Sequence, residues 1–436
     1  MAPYRTSPIF LNRAWQKMLD IMAGGSWSRQ LSEAIQHNLR AFFWDGVLSA
    51  SSDAITVNYF TLFLLALGAT STQIGLLSSL SNMAAVLVLL PGAMLVDRLG
   101  KRKPLILWTG GGFSRLMLPV YALIPLLVPH PVAIYLAIGL KVLADGSANL
   151  ALPAWVSMSA DIIPLAWRGR YFGTRNLVMG ICGMVITFLG GEFITRSGAI
   201  SGYQWAFIAA FAIGMISTFA FSQIREPKRP AVVLPVQTYT PIALLQTLQS
   251  DKAFLVFCLF NLFWNFSISI AGPFFSVYQV QVLKASATMV GILSIVSSLS
   301  SLPALRFFGP LADRIGSRRV MVITGLLIPI VPIAWVWTTQ PWHGIPINIL
   351  SGFLWAGFSL AQFNMLLIIS PDEHRARYSA IFQIMVAISA AVGAALGGVI
   401  SHQWGYHTVF LLSGIGRFLS MLIFIRFVSW ADLEKH

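Results

Sequence analysis

Hydrophobic residues occur along this chain in long runs, and polar residues lie in short stretches between them. A helix that crosses a bilayer needs about 20 predominantly apolar residues, and twelve runs reach that length. Within runs such as 83–90 and 320–337 the residues do not alternate between apolar and polar, which favours helices over the strands of a membrane barrel. The predicted helices span residues 40–66, 74–96, 104–127, 132–158, 171–192, 203–223, 252–282, 288–310, 320–339, 344–369, 378–400 and 406–427.

The composition supports an integral membrane protein. Of the 436 residues 56% are hydrophobic and only 10% are charged, against roughly 25% charged residues in an average soluble domain. The net charge of +14 does not indicate nucleic-acid binding, because the basic residues form short clusters between apolar runs rather than one solvated face. Cys182 and Cys258 both lie inside apolar runs, so no disulfide framework is expected.

The distribution of lysine and arginine orients the helices. Of the lysines and arginines, only Arg196 and Lys284 lie in the connections that follow odd-numbered helices. The positive-inside rule therefore places both termini in the cytoplasm of a cell (inner) membrane. The first 37 residues lack the apolar core of a signal peptide. Residues 9–22 are amphipathic and are predicted either to lie on the membrane surface or to form a frayed tail.

The chain contains an internal repeat. The sequence VDRLGKRK at 96–103 recurs as ADRIGSRR at 312–319, in each case after the second helix of a half. The pattern Pro-x-x-x-Arg-x-Arg-Tyr occurs at 164–171 and 371–378, and Trp-Asp at 44–45 corresponds to Trp-Asn at 264–265. These repeats predict two parallel six-helix bundles, a common design of secondary transporters. The predicted units are a tail at 1–39, a bundle at 40–223, a proline-rich linker at 224–251, a bundle at 252–428 and a tail at 429–436.

These features resemble the major facilitator superfamily over residues 40–430. The sequence GPLADRIGSRR at 309–319 matches the loop signature of that family. The first copy departs from the signature, since Ala93 stands in place of its first glycine and Gly92 is one position early, so a close helix contact is not expected there. The resemblance implies an all-α membrane fold of twelve helices in two pseudo-symmetric bundles. It also implies alternating access, a monomer and a cavity lined by helices 1, 4, 7 and 10.

The resemblance further implies a cytoplasmic gate at the two Asp-Arg-x-Gly turns. Glycine permits the positive φ of a tight turn, and an aspartate can bond a helix N-terminus or a basic side chain. We expect these contacts to form a latch that favours the outward-open state; the alternative is that the turns only anchor the topology. Arg168, Arg170, Arg375 and Arg377 are expected to act as anchors. The gate residues are Asp97, Arg98, Gly100, Gly309, Asp313, Arg314 and Gly316.

Charged residues inside the predicted helices carry the most functional information, because an ion in lipid costs roughly 2.5–3.5 kcal/mol on the insertion scale. Asp53 lies near the middle of the first helix, and Lys141 and Asp145 lie four residues apart on the fourth. We expect Asp53 and Asp145 to carry the coupling proton and Lys141 to tune them. The alternative is a neutralised structural cluster. Asp45 is a candidate for the cytoplasmic gate or for coupling.

The predicted cavity wall in the second half is aromatic and uncharged, which suits an uncharged or weakly polar solute. Ordinary aromatic packing with amide hydrogen bonds is the alternative. The predicted cavity residues of both halves are Asn58, Asn149, Asn261, Trp264, Asn265, Trp355, Ser359, Gln362 and Gln383. Arg115 and Arg417 are expected to pair with an acid or a carbonyl inside their own halves. If both reach one cavity, they would instead form an anion clamp.

The chain lacks a Walker sequence and the HExxH and CxxC spacings, so we predict neither ATP-driven transport nor a metal or other cofactor, and no enzyme. The sequence favours proton-coupled efflux of a lipophilic or metabolite-like solute by antiport. Uptake of a small nutrient, such as a sugar or organic anion, by proton symport or uniport is one alternative. A non-transporting assembly factor or sensor of the same fold is another. The expected partners are the lipid bilayer, a small solute and a proton, and no nucleic acid.

Overall fold

The computed structural model describes residues 19–99, 101–226, 251–370 and 375–427, and these residues form helices joined by short connections. Three short 3₁₀ helices lie in the connections, at Ser26–Gln30, Leu165–Trp167 and Pro341–His343. The long helices are α1 Glu33–Ala66, α2 Ser71–Leu99, α3 Arg102–Leu127, α4 His130–Ile162, α5 Arg168–Ser197, α6 Ala199–Ser222, α7 Lys252–Gln281, α8 Ala287–Ile315, α9 Ser317–Val336, α10 Gly344–Ile369, α11 375–404 and α12 406–427.

The prediction of an all-α membrane fold is confirmed. Among the described residues, ten segments are long and apolar enough to cross a membrane. The continuous stretch Arg375–Phe427 contains two of the predicted helices, because Gly405 adopts a positive φ of 80° that ends one helix and begins the next. Ten segments, one of which contains two helices, give eleven helices, and α1 completes the twelve that the sequence predicts. Their boundaries differ from the predicted ones: α1, for example, begins at Glu33 rather than at residue 40.

Three helices are interrupted where the sequence predicts continuous ones. α7 breaks between Ala271 and Phe274, and α9 breaks between Leu327 and Ile330. Each break contains a proline, which lacks the backbone N–H that a helix needs and clashes with the preceding turn. In α3, the segment Leu107–Phe113 is a π-helix, an uncommon form that is frequent at functional sites.

Hydroxyl groups from neighbouring helices bond the carbonyls of this π-helix. Ser147 of α4 donates to the Thr109 carbonyl at 3.1 Å, and Thr218 of α6 donates to the Gly111 carbonyl at 2.8 Å. A Cβ atom on Gly111 would lie 2.9 Å from the Thr218 side chain. The glycine-rich turn therefore allows α6 to approach α3 closely.

The described residues of the first six helices and of the last six are hydrogen-bonded to each other at one end of the helices. Helix α2 packs on α11, and α5 packs on α8. At this end Thr195 and Thr288 bond each other at 2.9 Å, and Ser71 bonds Tyr406 at 2.6 Å. Among the described residues, hydrogen bonds between the halves occur only here. We call it the closed end; it carries the connections α1–α2, α5–α6, α7–α8 and α11–α12.

The core is continuous across the closed end. One cluster of buried side chains contains Tyr59 and Phe207 of the first half together with Phe274 and Phe410 of the second. Two further clusters each lie within one half, around Phe42 in the first and around Trp264 in the second. The halves therefore share a core at the closed end and have separate cores elsewhere.

One sequence expectation about helix packing is wrong. We did not expect a close contact at the first copy of the repeated loop motif, but a Cβ atom on Gly92 would lie 2.5 Å from the Leu150 carbonyl oxygen. In the second copy, the space around Gly309 is open. The predicted linker 224–251 lies largely outside the described residues, and the tail 429–436 lies wholly outside them. Residues 1–18 of the predicted tail 1–39 also lie outside, with most of the amphipathic segment 9–22, whereas residues 19–39 are described and include the start of α1.

Candidate functional site

A polar cavity of about 360 Å³ lies between α1, α2 and α4 of the first half. Most of its side chains carry hydroxyl, amide or charged groups, and Phe60 contributes an aromatic ring. Pockets of this size are typical of small-molecule sites. The polar cavity is lined by Thr56, Val57, Phe60, Thr61, Leu77, Ser78, Ser81, Asn82, Ala85, Lys141, Asp145 and Asn149.

Lys141 and Asp145 form an ion pair on one face of α4, with side chains that are 19% and 28% exposed. Ser81 of α2 donates to the second carboxylate oxygen of Asp145 at 2.8 Å. The Lys141 Nζ atom also lies 5.8 Å from the centre of the Phe60 ring. Both carboxylate oxygens of Asp145 are thus engaged, whereas an ammonium group has three N–H donors. Lys141 therefore has donors left for a solute.

Asp53 lies one turn of α1 away from this cavity. Val57, four residues later on the same face of the helix, is exposed and lines the cavity. Asp53 is exposed and accepts a hydrogen bond from Ser49 at 3.2 Å. Of the two predicted partners of Lys141, the structure pairs Asp145 with it rather than Asp53.

Asp45 is buried, whereas the neighbouring Trp44 is exposed. Ser217 of α6 donates to the Asp45 carboxylate at 2.8 Å, and the Arg175 guanidinium of α5 lies 3.9 Å from its other oxygen. Asp45 is therefore held inside the first half, between α1, α5 and α6.

Arg115 contacts both α1 and α6. Its Nη1 atom donates to the Gly214 carbonyl and to Thr218, and its Nη2 atom donates to Ser49 at 3.1 Å and to Ser217 at 3.0 Å. Arg115 does not line the polar cavity. The expected carbonyl partner is present, and the serines are partners that the sequence did not predict.

The other predicted cavity residues of the first half differ in position. Asn149 lines the polar cavity and donates to the Asp145 carbonyl at 2.8 Å. Asn58 instead donates to the Ala54 carbonyl at 2.7 Å and to Thr187 of α5 at 3.3 Å, toward the closed end.

The predicted wall of the second half is partly core. Asn261 and Trp264 are fully buried. Gln362 donates to Asn261 at 2.5 Å, and Asn265 donates to the Asn261 carbonyl at 2.8 Å. These side chains therefore join α7 to α10.

The Trp264 ring stacks on Phe358 at 4.6 Å between centroids and lies 6.3 Å from the Trp355 ring. Ser359 and Gln383 are exposed. Aromatic packing accounts for Trp264, so Trp355, Ser359 and Gln383 are the more accessible members of the predicted wall.

Arg417 of α12 is 2% exposed, and its Nε atom has no hydrogen-bond partner. Within the described part of the chain it forms no ion pair, so the acid or carbonyl that we expected beside it is not found. Arg115 is held by α1 and α6 in the other half. Neither arginine lines the polar cavity, which gives the predicted anion clamp no geometric support there.

The predicted gate residues lie at the end opposite the closed end. Asp313 and Arg314 are exposed at the end of α8. Gly316 has a φ of 87°, as a tight turn at this position requires. Gly100 lies outside the described residues, and so do the side chains of Asp97 and Arg98 at the end of α2.

Sequence reasoning missed the serines that organise this half, Ser49, Ser81 and Ser217, because a serine in an apolar run carries no signal of its partner. It also missed the glycines of the closed end, although they do carry a signal. IGLLS at 74–78 recurs as VGILS at 290–294, and LGG occurs at 189–191 and 396–398.

Two parallel six-helix halves that meet at one end are a recurrent design of secondary transporters. The chain matches the Major Facilitator Superfamily over residues 46–279 and again over 263–435, so it belongs to that family. It is a multi-pass membrane protein that moves a small solute, and it is not an enzyme.

Several known proteins are similar to this chain. The multi-drug resistance efflux pump PmrA of Streptococcus pneumoniae is 25% identical over 87% of this chain and 92% of its own length. The Na(+), Li(+), K(+)/H(+) antiporter of Planococcus maritimus is 25% identical over 37% of this chain and 39% of its own length. A crystal structure of a mutant of the nucleoside transporter NupG has a TM-score of 0.72 at 16% identity, covering 89% of this chain and all of that one, and shows a common fold.

Proposed function

We propose that this protein is a proton-coupled antiporter that exports a small organic solute from the polar cavity by alternating access. The observation that carries this proposal is the Lys141–Asp145 ion pair on the cavity wall, with Asp53 one turn of α1 away. Charged groups inside a membrane are costly, and they usually mark solute pathways and proton relays.

The position of the closed end supports the proposal that the cavity opens to the cytoplasm. In the orientation expected from the positive-inside rule, the connections of the closed end face outward. The solute then enters from the cytoplasmic side, as export requires. The two Asp-Arg-x-Gly turns lie at the open end, and we expect their latch contacts to form only after that end closes.

Competition between solute and proton at Asp145 would couple the two movements. While Asp145 is ionised, its charge and that of Lys141 balance each other. A proton on Asp145 removes the partner of Lys141 and leaves one positive charge in the cavity, which changes the affinity for a solute. Ser81 of α2 donates a hydrogen bond to Asp145. Protonation of Asp145 therefore also alters a contact with α2, which forms one wall of the cavity.

The lining of the cavity favours a small polar or amphipathic solute over a purely lipophilic one. Hydroxyl and amide groups of α1, α2 and α4 surround the ion pair. The argument for a lipophilic solute from an aromatic cavity wall becomes weaker, because Trp264 and Asn261 are fully buried. The efflux pump and the antiporter among the relatives support export and proton exchange.

The test is a measurement of lumenal pH in liposomes that contain the purified protein. A panel of cationic, zwitterionic, hydroxylated and lipophilic solutes is added outside. Antiport predicts that a transported solute makes the lumen more alkaline, because protons leave as the solute enters. Symport would make the lumen more acidic, and a non-transporting protein would give no signal with any solute. Asp145→Asn should abolish the signal, whereas Asp20→Asn, outside the long helices, should retain it.

A further inference from the structure

One arginine is hydrogen-bonded through two serines to two carboxylates of the same helix. The Nη2 atom of Arg115 donates to Ser49, which donates to Asp53 at 3.2 Å. The same Nη2 atom donates to Ser217, which donates to Asp45 at 2.8 Å. An Nη atom carries two hydrogens, so it can serve both serines at once. We call Asp45, Ser49, Asp53, Arg115 and Ser217 the arginine network.

The spacing of the two acids explains why serines are needed. Asp45 and Asp53 are eight residues apart on α1, which corresponds to about 12 Å along the helix axis. A single guanidinium group cannot pair directly with both carboxylates over that distance. Ser49 lies four residues from each acid and extends the reach of Arg115 toward Asp53, while Ser217 extends it toward Asp45 from α6.

The other side of the guanidinium group is held by α6. The Nη1 atom donates to the Gly214 carbonyl and to the Thr218 hydroxyl. A Cβ atom on Gly214 would lie 3.0 Å from the Arg115 Cδ atom, so glycine makes room for the arginine. Thr218 also donates to the Gly111 carbonyl in the π-helix that precedes Arg115. The arginine is thus tied to the irregular segment of its own helix.

The charges around the network balance when both acids are ionised. The positive charges of Arg115 and Lys141 attract the Asp53 carboxylate. The positive charges of Arg115 and Arg175 attract the Asp45 carboxylate, and Tyr171 lies near Asp45 as well. Lys141 is itself paired with Asp145. A proton on Asp53 therefore leaves one excess positive charge among Asp45, Asp53, Arg115 and Arg175, which is unfavourable because Arg175 and Asp45 are buried. Asp45 is the remaining acid that can balance Arg115.

We propose that Arg115 is a positioning residue that couples Asp45 to Asp53, so that protonation of Asp53 shifts the guanidinium group toward Asp45 and tightens the contact between α1 and α6. This inference rests on the proposed proton coupling and adds Asp45, Ser49, Arg115 and Ser217 to it. Asp45 thereby gains a role within the first half rather than at the cytoplasmic gate.

The test is an infrared titration of the protonated carboxyl band in membranes, which does not depend on transport or on knowledge of the solute. The band of Asp53 is identified by its loss in Asp53→Asn. In Ser49→Ala the ionised carboxylate loses a hydrogen bond, so we expect the protonated form to persist to higher pH by about one unit. Ser51→Ala is the matched control, because Ser51 is a buried serine of α1 that bonds only its own helix, at the Val47 carbonyl.

The decisive variant is Ser217→Ala, which alters no contact of Asp53. We expect it to move the Asp53 titration by at least about 0.3 pH unit, and we expect that effect to disappear in an Arg115→Lys background, where the two-armed donor is absent. If Ser217→Ala leaves the Asp53 band unchanged, or if its effect persists in Arg115→Lys, the coupling through Arg115 is wrong. Should Arg115→Lys not fold, Ser217→Ala against Ser51→Ala decides the question alone.

The transport assay separates this inference from the proposed function. If solute-driven proton movement is found but Ser217→Ala and Ser49→Ala both titrate as the wild type does, only the arginine network is overturned. If the infrared coupling is found but no solute moves protons, the network is present and the antiport proposal fails.

Discussion

Gly75 of α2 and Gly398 of α11 lie face to face across the closed end. A Cβ atom on Gly75 would lie 2.9 Å from the Cα atom of Gly398, and one on Gly398 would lie 3.1 Å from the Cα atom of Gly75. The repeat places a second such contact between α5 and α8, where Cβ atoms on Gly191 and Gly291 would lie 2.6 and 2.5 Å from the Tyr59 hydroxyl oxygen. No side chain fits at either contact while this end is closed.

Gly75→Val should therefore destabilise the conformation in which this end is closed. Overpacking a tight contact costs about 1–3 kcal/mol, which corresponds to roughly a 5- to 150-fold shift between two conformations. The shift can be measured as a longer distance between spin labels placed in the α1–α2 and α11–α12 connections.

Gly180→Val is the matched control for this experiment. Gly180 lies on α5, in the same half as Gly75, and the space around it is open. It should leave the label distances unchanged. Equal distances in Gly75→Val and Gly180→Val would show that the closed end does not depend on the absence of a side chain at Gly75.

The Lys141–Asp145 pair should show strong non-additivity. Removing either partner leaves an uncompensated charge, which costs about 3–5 kcal/mol in a fully buried pair. The cost here should be smaller, because both side chains are partly exposed. We expect Lys141→Met and Asp145→Asn each to lower the midpoint of thermal unfolding, and the double variant to recover part of the loss. Additive losses in the double variant would show that the two charges do not stabilise each other.

Asp313 should matter only for the conformation that this structure does not show. It is exposed at the open end, so Asp313→Asn should leave the thermal stability of the purified protein within about 0.5 kcal/mol of the wild type. If the proposed latch forms when that end closes, the variant should still slow transport severalfold. Wild-type transport in Asp313→Asn would favour the alternative, a turn that only anchors the topology.

The segment before α1 is tied to the α4–α5 connection by two aromatic rings. Trp27 stacks on Trp167 at 4.8 Å with an angle of 6°, and the Arg170 guanidinium lies 5.2 Å from the Trp167 ring. Such an aromatic pair contributes about 0.5–1.5 kcal/mol beyond area burial. Trp27→Ala should lower the unfolding midpoint more than Trp404→Ala, which removes an exposed tryptophan. Equal midpoints would show that the segment is not held by this contact.

The sequence predicted the helices well because length and hydropathy are local properties. It could not predict the breaks in α7 and α9, since proline inside a membrane helix is tolerated at other positions of this chain, such as Pro153 and Pro303. The turn at Gly405 was placed correctly because glycine there separates two long apolar runs.

The site was predicted where partners lie on one helix and missed where they do not. Lys141 and Asp145 are four residues apart, and that spacing brings them together on α4. Ser81, Ser49 and Ser217 reach their aspartates or Arg115 only through the packing of α1, α2, α3 and α6, which no local pattern encodes. Trp264 shows the opposite error: an aromatic residue on a predicted cavity-lining helix is instead buried against Phe358.

The most direct test of the central claim is whether a proton gradient alone drives a solute uphill through the polar cavity. In liposomes with an acidic lumen, proton antiport predicts that the wild type accumulates a transported solute inside above its external concentration. The accumulation should collapse when a protonophore is added, and Asp145→Asn should at most equilibrate the solute. Accumulation in Asp145→Asn at the wild-type level would contradict the account. So would accumulation in the wild type that requires an acidic exterior.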